Sequence, residues 1–257
     1  MSAEPATVLL DASGPIWRLT LNRPQQGNAC SADLVAGLET ALSGAASQGA
    51  QAFVIEGEGR HFCTGFDLSQ LDQESDDTLL ARFVRIELML QRLARAPFLT
   101  VALAHGRTMG AGADLFAACG LRLARADASF AFPGARGFGL VLGTRRLAAR
   151  VGAETALSWV ETGRNISVEE AHRAGLVSAL AADPAEVEQI VTAHVHEDAW
   201  LQNALRTAVD PRAADDDARD LDLLVRSAAR AGLRDRIAAY VERVASTRRA
   251  SPSPKPA

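Results

Sequence analysis

The stretch FLTVALAHGRTMGAGADLFAACG, residues 98–120, decides how this chain is read. Its first half is nearly all apolar and follows Pro97, which ends a preceding helix, so it reads as a buried strand. Its second half begins with the small residues Gly110, Ala111, Gly112 and Ala113, continues with one carboxylate, Asp114, and ends in an apolar run with helical spacing. The whole predicts a strand, a glycine-containing turn and a greasy helix. Glycine tolerates positive φ and lets a ligand approach the main chain, while the start of a helix carries unpaired N–H groups and partial positive charge. An acid in that first turn has two readings. It complements the helix dipole, worth under ~1 kcal/mol, or it works in a pocket.

Outward from this stretch, short apolar runs alternate with amphipathic ones. The segment TVLLDASGPIWRLTLN, residues 7–22, predicts two strands around a turn. Ser31 then caps a helix whose Leu34, Leu38 and Leu42 share one face. A buried strand QAFVIEG follows at 51–57, then a helix over 76–95. Beyond residue 120, LRLARADASFAFP supplies further strand material, and helix and strand alternate to residue 180. From about residue 184 the pattern is helical, and the tail SPSPKPA, 251–257, has the composition of a disordered segment. The expected division is a core over 1–198, a helical region over 199–250 and that tail.

Composition narrows the function classes. The 257 residues, 48% hydrophobic with 27 basic against 31 acidic side chains, suit a soluble globular chain without a nucleic-acid footprint. Three cysteines, Cys30, Cys63 and Cys119, lack metal-site spacing and fit a reducing compartment, so the expectation is a cytoplasmic protein that meets no membrane. His194 and His196 lie two apart in a helical segment and face different ways, which argues against a metal site. A dinucleotide reading of GAGADL lacks a third glycine and comes mid-chain.

A second glycine-containing turn, GEGRHFCTGFDL at 57–68, follows the earlier strand just as the first follows its own. Two main-chain amides converging from such turns on one oxygen would form an oxyanion hole. These turns, with LNRPQQGNACS at 21–31, the continuation through FAFP at 130–133 and ETGRNISVEEAHRAGLVSAL at 161–180, resemble the crotonase superfamily, also called the enoyl-CoA hydratase/isomerase family, over residues 7–182. A fainter echo lies in RAGLRDRIAAYVERV, residues 230–244. The resemblance implies an α/β fold of ββα units wound into a superhelix, with a C-terminal helical oligomerisation region and assembly as a homotrimer or hexamer. It implies an acyl-CoA substrate, with coenzyme A entering as part of that substrate and no separate cofactor, and stabilisation of a thioester enolate. By position in the motifs, the oxyanion donors are the amides of Phe66 and Ala111. The path of the thioester is lined at Gln25, Thr64, Asp67, Leu68, Met109 and Gly110. Asp114 falls where hydratases of this family carry the first of two glutamates.

The departures bear on the chemistry. The family's second glutamate follows a proline, and here FAFPGARG places Gly134 at that position. Adding water across a conjugated double bond uses two groups, one to take the water's proton and one to deliver a proton to carbon. One carboxylate alone suits moving a proton between two carbons, and GAGADL is similar to the matching segment of dienoyl-CoA isomerases, which carry an aspartate there. The expectation is therefore double-bond isomerisation, or a non-standard hydratase or lyase reaction with one acid. The alternative is a paralogue that binds the thioester with impaired catalysis. His105 replaces the family's usual asparagine and reads as structural. Arg136, in the altered wall, either holds an acyl carboxylate or is a solvated loop residue.

Overall fold

The computed structural model describes residues 5–195, 198–210 and 212–250; His196 and the tail from 251 onward lie outside them. In chain order the elements are β1 (Val8–Asp11), β2 (Ile16–Leu21), α1 (Ala32–Ser47), β3 (Ala52–Gly57), α2 (Asp76–Ala94), β4 (Leu99–Ala104), β5 (Arg107–Met109), α3 (Ala111–Ala118), β6 (Leu121–Ala124) and β7 (Ser129–Ala131). There follow α4 (Gly134–Phe138), α5 (Thr144–Val151), α6 (Ala153–Thr162), β8 (Ile166–Ser167), α7 (Val168–Arg173), β9 (Ala179–Leu180), α8 (Pro184–His194), α9 (Ala199–Val209), α10 (Ala213–Ala228) and α11 (Leu233–Ala250).

The hairpin expected at the start is present, with β1 antiparallel to β2. From β2 onward the main sheet is parallel, in the order β1-β2-β3-β4-β6-β9. A parallel neighbour needs a long crossover, and the crossovers after β4 and β6 carry a second short extended piece before their helix. That piece is β5 after β4 and β7 after β6, and these two pair with each other in parallel. Isolated parallel bridges, Cys30 to Phe66 and Cys63 to Thr108, extend the same layer across the earlier turns of the chain. The result is a spiral of strand, short strand and helix, as the family resemblance implies.

Both faces of the main sheet are covered. Phe53, Ile55 and Ala102 join the core formed with α1, α2 and α3, while Val54, Val101, Leu103 and Leu123 meet Val187 and Val191 of α8 on the other face. Such double burial explains why β4 is buried at all six positions and reads as a nearly unbroken apolar run. The Ser31 hydroxyl caps α1 by accepting the Leu34 amide at 3.2 Å, and a Ser75–Thr78 capping box starts α2.

The helical C-terminal region folds back on its own chain. Leu224 and Ala228 of α10 and Leu233 and Ile237 of α11 bury themselves against Leu79 and Phe83 of α2. Asp76, at the first position of α2, accepts the Gly232, Leu233 and Arg234 amides at 2.8–3.1 Å and fixes the start of α11. No helix among the described residues is long and apolar enough to cross a membrane.

Candidate active site

Two turns of the spiral meet at one cavity of about 330 Å³. The first is Thr64–Gly65–Phe66. Cys30 bridges to Phe66 there, its amide donating to the Gly65 carbonyl at 2.8 Å while the Asp67 amide donates to the Cys30 carbonyl at 3.3 Å. A residue flanked in that way turns its own N–H to the opposite side. The ring of Phe66 stacks on Phe83 with centroids 4.2 Å apart, and the Arg82 guanidinium covers it, so the segment is held firmly.

The second turn is Met109–Gly110–Ala111. Gly110, at φ +52°, reverses the chain, and Ala111 begins α3 with its amide aimed outside the helix. Neither the Phe66 nor the Ala111 amide donates to a protein acceptor among the described residues. The turns touch: Gly65, at φ +101°, sits where a Cβ would stand 2.8 Å from the Met109 carbonyl oxygen and 3.5 Å from the Ala111 nitrogen. Only glycine combines that φ with that approach.

Asp114 lies in the first turn of α3 and lines the same cavity, 5% exposed. Among the described residues it is the only carboxylate lining the cavity. No side-chain hydrogen bond engages it among the described residues, and burial pushes its pKa well above the ordinary 3.8. The positive charge of Arg146 works against that rise and the negative charge of Glu87 adds to it. Desolvation therefore outweighs the helix start, where an acid is normally favoured as its anion.

Of the residues singled out in the sequence, Thr64, Phe66, Leu68, Met109, Gly110, Ala111 and Asp114 line this cavity together, and Gly134 completes its wall. Gln25 and Asp67 line a neighbouring cleft with Arg23 and Ser69. There the Asp67 carboxylate accepts from Arg23 at 2.7 Å and from the Ser69 amide at 2.9 Å. Burial opposes ionisation of Asp67, but these partners outweigh it and lower its pKa. Arg136 does not line the main cavity. It is exposed on α4, donates to the Glu161 carbonyl at 3.4 Å and borders a shallow groove with Arg243. The His105 ring is bonded to the Gly59 carbonyl at 2.9 Å, a structural contact at the end of β4.

Several residues at the site were not singled out in the sequence. Tyr240 of α11 lines the cavity, its ring set against Phe138 at 5.6 Å and pressed on Gly137, where a Cβ would lie 2.8 Å from the ring. Behind Asp114, Arg146 of α5 donates to Glu87 of α2 at 2.9 Å and to Asp220 of α10 at 3.2 Å. A signal for Glu87 does exist: it shares a helical face with Phe83, Ile86 and Leu90, all buried, so an acid there needs a partner. Among the described residues, no group of three or more His, Cys, Asp or Glu is placed to hold a metal ion.

Comparison with known proteins agrees with this architecture. Residues 11–247 match the family described as enoyl-CoA hydratase/isomerase. A Bacillus subtilis (strain 168) protein described as a probable enoyl-CoA hydratase is 35% identical over 176 residues, covering 66% of this chain and 67% of its own. The peroxisomal Delta(3,5)-Delta(2,4)-dienoyl-CoA isomerase of Arabidopsis thaliana is 29% identical over 193 residues, 69% of each chain. The crystal structure of a Bordetella parapertussis protein described with the same family name superimposes with a TM-score of 0.87 at 39% identity, covering 96% of this chain and 100% of that one.

Proposed function

The chain belongs to the enoyl-CoA hydratase/isomerase family, and from that premise we propose that it moves a double bond within an acyl-CoA thioester, using one carboxylate as the proton carrier. The observation that supports this reading best is that, among the described residues, Asp114 is the single carboxylate lining a cavity also lined by Phe66 and Ala111, whose amides donate to no protein acceptor. The thioester carbonyl oxygen sits between the Phe66 and Ala111 N–H groups. Ionised Asp114 takes a proton from C2 of a 3-enoyl thioester, and the C–H electron pair spreads through C1 onto that oxygen as a dienolate. Donors aimed at a developing oxyanion are worth about 2.7–4 kcal/mol each. Protonated Asp114 then returns the proton to C4, the carbonyl re-forms, and the double bond ends between C2 and C3.

Such a shuttle needs a group that both takes and gives its proton near neutral pH, which favours a carboxyl raised by burial. Hydration makes a different demand, a water held between two acids, and Gly134 offers none. Coenzyme A enters as part of the substrate, and assembly into trimers or hexamers belongs to the same proposal.

The test is a panel of 3-enoyl and 2-enoyl thioesters followed by ultraviolet absorbance and mass. The expected result is conjugation of the 3-enoyl substrate with little hydration of the 2-enoyl one. Binding of both without any change in either would support the alternative, a thioester-binding paralogue with impaired catalysis.

A further inference from the structure

A buried ion cluster stands directly behind the acid. Gly143 packs against the Asp114 carboxylate and precedes α5, whose first turn carries Arg146. Arg146 is 5% exposed, and its guanidinium is gripped from two sides, by both carboxylate oxygens of Glu87 and by Asp220. Glu87 is 1% exposed and also accepts from Gln91 at 2.9 Å. Asp220 accepts from Arg145 at 3.0 Å as well. The Arg146 Nε is buried without a hydrogen-bond partner among the described residues.

We propose that Glu87 and Asp220 neutralise Arg146 so that its charge does not hold Asp114 permanently ionised, which makes all three positioning residues for the proton carrier. This rests on the reading of Asp114 as that carrier. A lone buried cation within reach of a carboxyl favours the anion strongly, typically by about 1–3 pH units. Such an anion takes a proton poorly and does not return to the neutral form between steps. Pairing Arg146 with two acids cancels most of that influence. The directions agree: Arg146 lowers and Glu87 raises the proton affinity of Asp114, and burial is the largest cause. For Arg146, burial works to lower its pKa, yet the Glu87 hydrogen bonds and charge outweigh it and keep the guanidinium charged.

The groups facing Asp114 from the elements around α3 are few. Glu87 comes from α2, Arg146 from α5 with Asp220 of α10 behind it, Arg107 of β5 stands at the cavity rim, and the buried thiols Cys30 and Cys63 lie on the far side. Asp220 gives the C-terminal helical region a part in the chemistry, since α10 supplies half of the clamp on Arg146.

The experiment uses the full chain and its Glu87→Gln and Asp220→Asn variants, each of which keeps an acceptor for Arg146 while removing a charge. Aspartate carboxyl carbons are labelled with carbon-13, and the Asp114 resonance is identified by its absence in Asp114→Asn. The expected result is a titration midpoint lowered by about one pH unit in Glu87→Gln and by less in Asp220→Asn, with the acidic limb of kcat/KM moving by the same amounts. Unchanged Asp114 midpoints in folded variants would overturn the inference. Should Glu87→Gln fail to fold, Asp220→Asn, nearer the surface, decides alone. A rate limb that stays fixed while the Asp114 resonance moves would overturn the role of Asp114 as carrier and leave the coupling standing.

Discussion

Gly143 and Asp114 are in direct contact: at φ +67° the glycine stands where any Cβ would run into the aspartate carboxylate. The residue is thus required twice, once for the left-handed backbone and once for space. Gly143→Ala is expected to lower stability by about 1–3 kcal/mol, the usual cost of a strained backbone position. It should also lower kcat by roughly 10²-fold, because a displacement of about 1 Å at the reacting group is enough for that. Denaturant titration and steady-state rates on the same preparation check both.

Gly65 makes the equivalent contact between the two amide-bearing turns. An added methyl at Gly65 would press on the Met109 carbonyl, 2.8 Å away, and wedge Phe66 from Ala111. The expected effect of Gly65→Ala is a fall in kcat of about 10²–10³-fold, as for loss of one oxyanion donor. Thioester binding measured by calorimetry should fall far less.

Asp114 leaves a signature in stability. Its folded-state pKa lies above the unfolded value, so the favourable contribution is complete below pH 3.8 and is lost as pH rises through the folded midpoint. Asp114→Asn cannot ionise. Its stability relative to the parent should therefore grow with pH across that window, at up to about 1.4 kcal/mol per pH unit. Thermal melts at a series of pH values read this directly, and parallel curves for the two proteins would refute it.

Gly134 has room for a side chain. A Cβ there would meet nothing closer than the Leu140 carbonyl at 3.5 Å, an ordinary contact, and its φ does not demand glycine. Gly134→Glu is expected to raise hydration of 2-enoyl thioesters by roughly 10²-fold, the lower end of what a placed acid–base group contributes. Hydration is followed by loss of conjugated absorbance.

Much of the layout was legible because it rests on local signals. α2 does end just before Pro97, Ser31 does cap α1, and the nearly all-apolar run before Gly106 contains a strand buried on both faces. Asp114 could be placed in a first helical turn from its four small neighbours alone. The rest depended on partners far away in the chain. The glycine-rich run after Pro133 begins as helix α4, held by Arg236 and Arg243 of α11, which donate to the Phe138 and Gly137 carbonyls at 2.9 and 2.7 Å. No local pattern shows those bonds. Arg136 points out toward the Glu161 carbonyl because that face of α4 meets solvent rather than the cavity. Nor does any local pattern show that Asp220, in the acidic run at 215–220, reaches Arg146, some 74 residues away, behind Asp114.

The most direct test of the central claim compares conjugation of a 3-enoyl-CoA thioester by the parent protein and by Asp114→Asn, with binding of the thioester measured alongside. Loss of turnover by about 10²–10⁴-fold with the thioester still bound is the expected outcome. Conjugation at the parent rate by Asp114→Asn would contradict the account, since the proton would then travel between the two carbons without the only carboxylate that lines the cavity among the described residues.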